Sequence, residues 1–186
     1  MIITNKIETL TKYQSVAVTI SVAFAGSLLL AVLARLSIPV PFSPVPITGQ
    51  TFGILFLGAV LGSRIGTLSV IMYISEGLMG LPVFAVGSMG FLYLLGPTGG
   101  YLIGFIPAVY LVGYLSEQGW ISNFTSAFLT MTIGTSVIFI FGISWLAITA
   151  RFGTALSIGL YPYIPGAIIK IVLATVTVYS INHYNK

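Results

Sequence analysis

The sequence predicts an all-α integral membrane protein, six transmembrane helices in a single domain covering residues 1–186. Three observations carry this reading: 57% of the residues are hydrophobic, only 5% are charged, and the apolar residues fall in long runs separated by proline, glycine or an isolated charge. An ordinary soluble domain has roughly 25% charged residues. Seven basic and three acidic side chains are too few to hydrate the surface of this chain, and disorder is excluded because it requires low hydrophobicity. Each crossing takes about 20 mostly apolar residues, so the length accommodates the six spans and no second, soluble domain.

The N-terminal stretch MIITNKIETLTKYQ is polar and lacks a small-residue cleavage site after a short apolar core, so it does not read as a cleavable signal. The first span follows at about residues 14–36. It carries small residues four apart on two adjacent stripes, Ala17, Ser21 and Ala25 on one and Ala23, Ser27 and Ala31 on the other. Such stripes let another helix approach closely, either inside the bundle or on a partner subunit. Spans two and three, about 48–63 and 65–80, are short and separated only by Ser63-Arg64, which predicts a tight helical hairpin. Spans four, five and six are placed at about 99–117, 122–148 and 163–182.

An even number of crossings puts both termini on one face. That face holds Lys6, Lys12, Arg64 and Lys186 against Arg35 and Arg151 on the other, which places the termini in the cytoplasm of a multi-pass plasma-membrane protein. The long connections, around 37–47, 81–98 and 149–162, then share the outer face. The first contains Pro39, Pro41, Pro44 and Pro46 and cannot be helical. The second is rich in glycine, with Gly80, Gly87, Gly90 and Gly96. Three such loops on one face are expected to cap a pocket.

Two charges lie inside spans. Lys170 sits about five residues past Pro165-Gly166 in the last span; a lysine at that depth costs about 2.5–3.5 kcal/mol on insertion scales and marks a polar interior unless it snorkels to the interface. Glu76 in the third span reaches a similar depth. It can pair with Lys170, face water near the glycine-rich loop, or act as a binding group beside Lys170. Thr48, Gln50, Thr51, Gly87, Ser88, Thr98, Gly100 and Tyr101 reach the same outer zone. With Lys170 they outline a mainly aromatic site with a few convergent donors, suited to a small molecule.

The inventory argues against other functions. The chain has no cysteine and one histidine, so neither a metal nor a cofactor is expected. No Ser/His pair or carboxylate pair suggests an enzyme. The basic residues are scattered singly, which excludes a nucleic-acid surface. A channel or self-sufficient carrier would be expected to have polar groups in both halves of the membrane.

The loop motifs carry a resemblance. Residues 44–51 (PVPITGQT), 80–85 (GLPVFA), 95–105 (LGPTGGYLIGF) and Pro165-Gly166 followed by Lys170 resemble, in order and over nearly the whole chain, the motifs of the BioY family. Those proteins are biotin-binding S components of energy-coupling-factor transporters. The resemblance implies a six-helix S component with an outward pocket, no ATP hydrolysis of its own, and partners comprising a transmembrane coupling subunit and two ATPases in the lipid bilayer. It also implies docking through the first helix, at Ala17, Ser21, Ala23, Ala25 and Ser27, and transport by toppling.

Two positions depart from the family pattern. Members commonly have Asp where this chain has Ala167, and often Asn where it has Ser88, both near the ureido ring of biotin. The carboxylate acceptor for a ring N–H is therefore missing. One expectation is that Glu76 replaces it; the competing one is that the ligand is a biotin relative such as lipoate, for which an apolar Ala167 suits a dithiolane.

Overall fold

The computed structural model describes the backbone of residues 12–184 and the side chains of residues 16–184; Lys6, Lys186, the Lys12 side chain and most of the polar N-terminal stretch lie outside it. Among the described residues seven helices run in the order α1 (Lys12–Arg35), α2 (Gln50–Leu78), α3 (Phe91–Leu95), α4 (Gly99–Glu117), α5 (Phe124–Thr149), α6 (Phe152–Gly159) and α7 (Ile164–Tyr184). A two-stranded antiparallel ribbon, β1 (Ser37–Ile38) and β2 (Ile47–Thr48), pairs Ser37 with Thr48 and Ile38 with Ile47 across the proline loop. Single 3-10 turns occur at Ala85–Gly87 and Tyr161–Tyr163.

α2 is the predicted hairpin. Gly62 takes φ 80° and ψ 179°, a non-helical conformation favourable only to glycine, and breaks the helix into arms of roughly 12 and 16 residues. The arms fold back on each other: a Cβ built on Gly66 would lie 3.3 Å from the Leu57 carbonyl oxygen, whereas eight or nine residues of straight helix would separate them by about 12 Å or more. Counting the arms separately, α1, the two arms of α2, α4, α5 and α7 make the six expected apolar helices. The break falls one residue before Ser63-Arg64.

A carboxylate closes this turn. Glu117, at the end of α4, accepts the Ser63 backbone N–H at 2.7 Å and the Ser63 hydroxyl at 3.0 Å. A negative group at the start of the second arm satisfies a free amide and meets the positive end of the helix dipole. Gly113 removes the last obstacle to this approach, since a Cβ there would lie 2.4 Å from the Ser63 nitrogen.

α4 is the central element. It packs against both arms of α2 on one side and against α5 on the other, with α1 against α2 and α7 against both α5 and α2. The core joins Ile54, Leu57 and Val70 of α2 to Leu102, Phe105 and Val109 of α4 and Ile138 of α5. Opposite faces remain apolar and exposed: Ile20, Phe24, Leu28 and Val32 on α1, and Ile168, Ile169, Val172, Leu173 and Val176 on α7. Exposed apolar stripes of this length belong in lipid, where the hydrocarbon tails are as apolar as the side chains. Five stretches among the described residues are long and apolar enough to cross a membrane, the hairpin counting as one.

The long connections hold more structure than expected. Residues 81–98 contain α3, and α6 occupies most of residues 149–162. Short apolar helices inside loops have no capping signal or length to reveal them in the sequence.

Candidate substrate-binding cavity

The three long connections meet over one end of the bundle. Ser43 of the proline loop donates to the Ile158 carbonyl of α6 at 2.7 Å. Tyr163 donates to the Val45 carbonyl, and Tyr101, in α4, donates to the Gly159 carbonyl at 2.7 Å. Arg35 closes the ring from the end of α1, donating to the Pro82 carbonyl at 2.5 Å. Gly87 permits this contact, since at φ +73° a Cβ on it would lie 2.7 Å from an Arg35 guanidinium nitrogen.

Beneath this cap lies a cavity of about 620 Å³, measured with its open mouth. Its walls come from six places: residues 45–48 of the proline loop and β2, Gln50 and Thr51 of α2, Ala85, Tyr93 and Thr98 of the glycine-rich connection, Tyr101, Leu102 and Phe105 of α4, Thr135, Ile138 and Phe139 of α5, and Tyr163, Ala167 and Lys170 of the last connection and α7. Most of the surface is aromatic or aliphatic.

Lys170 is the one charged residue on the wall among the described residues. It lies six residues into α7, about 9 Å along the axis, and its ammonium donates to the Thr48 carbonyl at 3.0 Å. It therefore turns inward rather than snorkelling to the membrane interface. An ammonium has three protons, so two remain after the Thr48 bond. Ala167 stands one turn earlier on the same helix and contributes only a methyl group to the wall. Thr48 also accepts the Gln50 backbone N–H through its side chain, at 3.4 Å. Tyr93 is outside the spanning helices, and burial pushes its phenol pKa up, so it meets the cavity as a neutral group.

Of the residues expected in the site, Thr48, Gln50, Thr51, Thr98, Tyr101, Ala167 and Lys170 share this wall. Four others are placed elsewhere. Gly100 packs on Trp145 and the Phe141 carbonyl, where a Cβ would lie 2.2 Å from the Trp145 Cβ, so it serves the α4–α5 contact. Gly87 serves Arg35, as described. Ser88 lines an adjoining outer depression with Pro44, Val86 and Leu92; its carbonyl accepts the Phe84 N–H and holds the 3-10 turn.

Glu76 is the largest correction. Its Oε1 accepts from the Ser27 hydroxyl of α1 at 2.7 Å, and it takes no part in the wall that Lys170 occupies. The similar depth expected of the two charges does not bring them together, because Glu76 is turned toward α1. The same bond corrects the reading of α1. Ser27 and Ala23 are fully buried against α2, so their stripe is internal packing and not a docking face. Ala17, Ser21 and Ala25 remain exposed on the other stripe.

The sequence reading missed Phe105, Thr135 and Phe139. Thr135, Ile138 and Phe139 recur at helical spacing on one face of α5, and Thr135 was the visible signal, a hydroxyl in mid-span. Its proton is used within the helix, on the Met131 carbonyl at 2.9 Å.

Comparison with known proteins agrees with this architecture. The BioY family model matches residues 6–186. "Probable biotin transporter BioY" of Pyrococcus horikoshii is 37% identical over 139 residues, covering 75% of this chain and 82% of that protein. "Biotin transporter BioY" of Rhizobium etli is 39% identical over 141 residues, covering 72% and 75%. Among solved structures, the S component for biotin from an ECF-type ABC transporter superimposes with a TM-score of 0.82 at 31% identity, covering 94% of this chain and 95% of that one. With a family match over nearly its whole length and a shared six-helix fold beneath a cap of loops, this chain belongs to the BioY family.

Proposed function

We propose that this chain is the substrate-capturing S component of an energy-coupling-factor importer and that its ligand is biotin. The observation that carries the reading is the cavity itself: an apolar, aromatic-lined chamber beneath three joined loops, with Lys170 directed into it from α7. A fused bicyclic ring with a short aliphatic chain matches such walls. The two free Lys170 protons suit either the ureido carbonyl or the carboxylate. The matched relatives are biotin transporters, which favours biotin over lipoate, although Ala167 offers no polar partner at its position.

In this reading the protein is a transport subunit and not an enzyme. The cavity opens outward and the termini are cytoplasmic. A transmembrane coupling subunit docks against the exposed face of α1, and two ATPases supply the energy.

Titration of the detergent-purified protein by calorimetry, with biotin and lipoate in separate runs, tests the ligand. Biotin is expected to bind at least a hundredfold more tightly, and equal or reversed affinities would overturn the assignment. Reconstitution tests the class: accumulation of biotin in vesicles without coupling subunits and ATP would make the chain a self-sufficient carrier.

A further inference from the structure

Gln50 opens α2 at the cavity wall and is only 4% exposed. Its Nε2 lies 2.6 Å from the hydroxyl of Tyr73, a fully buried residue of the second arm. That hydroxyl in turn donates to the Val83 carbonyl at 3.0 Å. The direction of this chain follows from proton counting. A carbonyl can only accept, so the single phenolic proton is committed to Val83. The phenol oxygen can then meet Gln50 only as an acceptor, and the amide must present N–H to it. The Gln50 amide is thereby prevented from flipping, and its Oε1 is turned away from Tyr73.

That oxygen opens to the cavity. No hydrogen bond engages it, and Glu76 Oε2 is the one buried side-chain oxygen without a partner among the described residues, so Gln50 Oε1 is not sealed in the core. Among the described residues no carboxylate lines the rest of the wall and Lys170 only donates; the hydroxyls of Thr135, Tyr101 and Tyr163 have committed their protons to backbone carbonyls and can accept there, while Gln50 brings the one side-chain carbonyl.

We propose that Gln50, held in one orientation by the Tyr73–Val83 chain, is the specificity-determining acceptor for a ring N–H of the ligand, with Tyr73 as its positioning residue. Gln50 thus supplies from α2 the acceptor that Ala167 cannot supply from α7. A cyclic urea presents a carbonyl flanked by N–H groups. Lys170 donates to the carbonyl while Gln50 accepts from one of the nitrogens. The assignment rests on the reading of this cavity as the biotin site. It also implies discrimination against ring systems lacking N–H, since a site built around a polar partner rejects an analogue that leaves that partner unpaired.

The test compares biotin with biotin methylated on either ureido nitrogen, in the wild-type protein and in Gln50→Ala, Gln50→Leu and Tyr73→Phe. The readout is the ratio of the two dissociation constants from calorimetry, which does not depend on the fraction of protein folded. For one of the methylated isomers the wild type is expected to prefer biotin at least tenfold. In both Gln50 variants that preference should fall below threefold. In Tyr73→Phe, which frees the amide to turn, it should fall at least threefold while Lys170 still supports binding. An undiminished preference in the Gln50 variants overturns the role of Gln50, and one undiminished in Tyr73→Phe overturns the positioning chain. Failure of the wild type to bind biotin at all removes the ligand reading and this inference together, and so is distinguishable from failure of the inference alone.

Discussion

The Ser27 hydroxyl donates to Glu76 Oε1 at 2.7 Å and so ties α1 to the second arm of α2 inside the apolar bundle. The other carboxylate oxygen, Oε2, is buried without a hydrogen-bond partner among the described residues. A polar atom left in that state costs about 1–3 kcal/mol. The pair is therefore an anchor whose geometry is incomplete on the acid side.

Glu76→Gln should keep the bond from Ser27 while removing the half-satisfied carboxylate. Thermal unfolding in detergent is expected to shift upward by a few degrees, on the order of 1 kcal/mol, with biotin affinity within twofold of wild type. A tenfold loss of affinity would return Glu76 to the ligand site. Ser27→Ala should do the reverse to stability, lowering it by about 1–3 kcal/mol, because both carboxylate oxygens would then lack a partner.

Lys170 is the only charge on the cavity wall among the described residues and is held by Thr48 through its backbone carbonyl. Lys170→Met retains the apolar stem and removes the donor. Calorimetry should show biotin affinity reduced at least tenfold, in keeping with about 1.5–3 kcal/mol for a hydrogen bond to a charged group. Since a buried charge has been removed, unfolding temperature should stay level or rise. Parallel losses of stability and affinity would make Lys170 structural.

Gly62 carries the reversal of α2 at positive φ, and a Cβ there would lie 2.5 Å from Glu117 Oε1. Gly62→Ala therefore meets two penalties: about 1–2 kcal/mol for a left-handed conformation, and displacement of a carboxylate that Ser63 holds by both backbone and side chain. Yield and melting temperature in detergent should both fall. The affinity of the fraction that folds should be unchanged, as the turn lies at the opposite end of the bundle from the cap.

The two small-residue stripes of α1 should respond differently. Trp at Ala17, Ser21 or Ala25 projects from the exposed face and is expected to leave biotin binding and melting temperature intact while abolishing co-purification with the coupling subunit. Trp at Ala23, which is fully buried, should instead lower the folded yield whether or not a partner is present. Identical behaviour of the two sets in a pull-down assay would refute the division.

The sequence by itself determined the class, the approximate spans and the hairpin turn. Those features follow from one-dimensional quantities: the length of an apolar run against the thickness of a bilayer, and proline and glycine where a helix must stop. It also singled out most of the polar cavity wall, because Thr48, Gln50, Thr98 and Tyr101 sit near span ends on one side and Lys170 is a charge inside a span. What only the tertiary structure decided was rotation. Lys170 and Glu76 both lie toward the capped ends of their helices, which can be read from residue counts along each helix, but they face different neighbours. In a water-soluble helix the polar face reveals the orientation. Here lipid and core are equally apolar, so no such asymmetry exists in the sequence, and helix facing is set by close contacts between small residues and by buried hydrogen bonds. Packing at Gly26 against Ser69 and the Ser27–Glu76 bond turn Glu76 toward α1, and the Tyr73–Val83 bond holds Gln50 at the cavity.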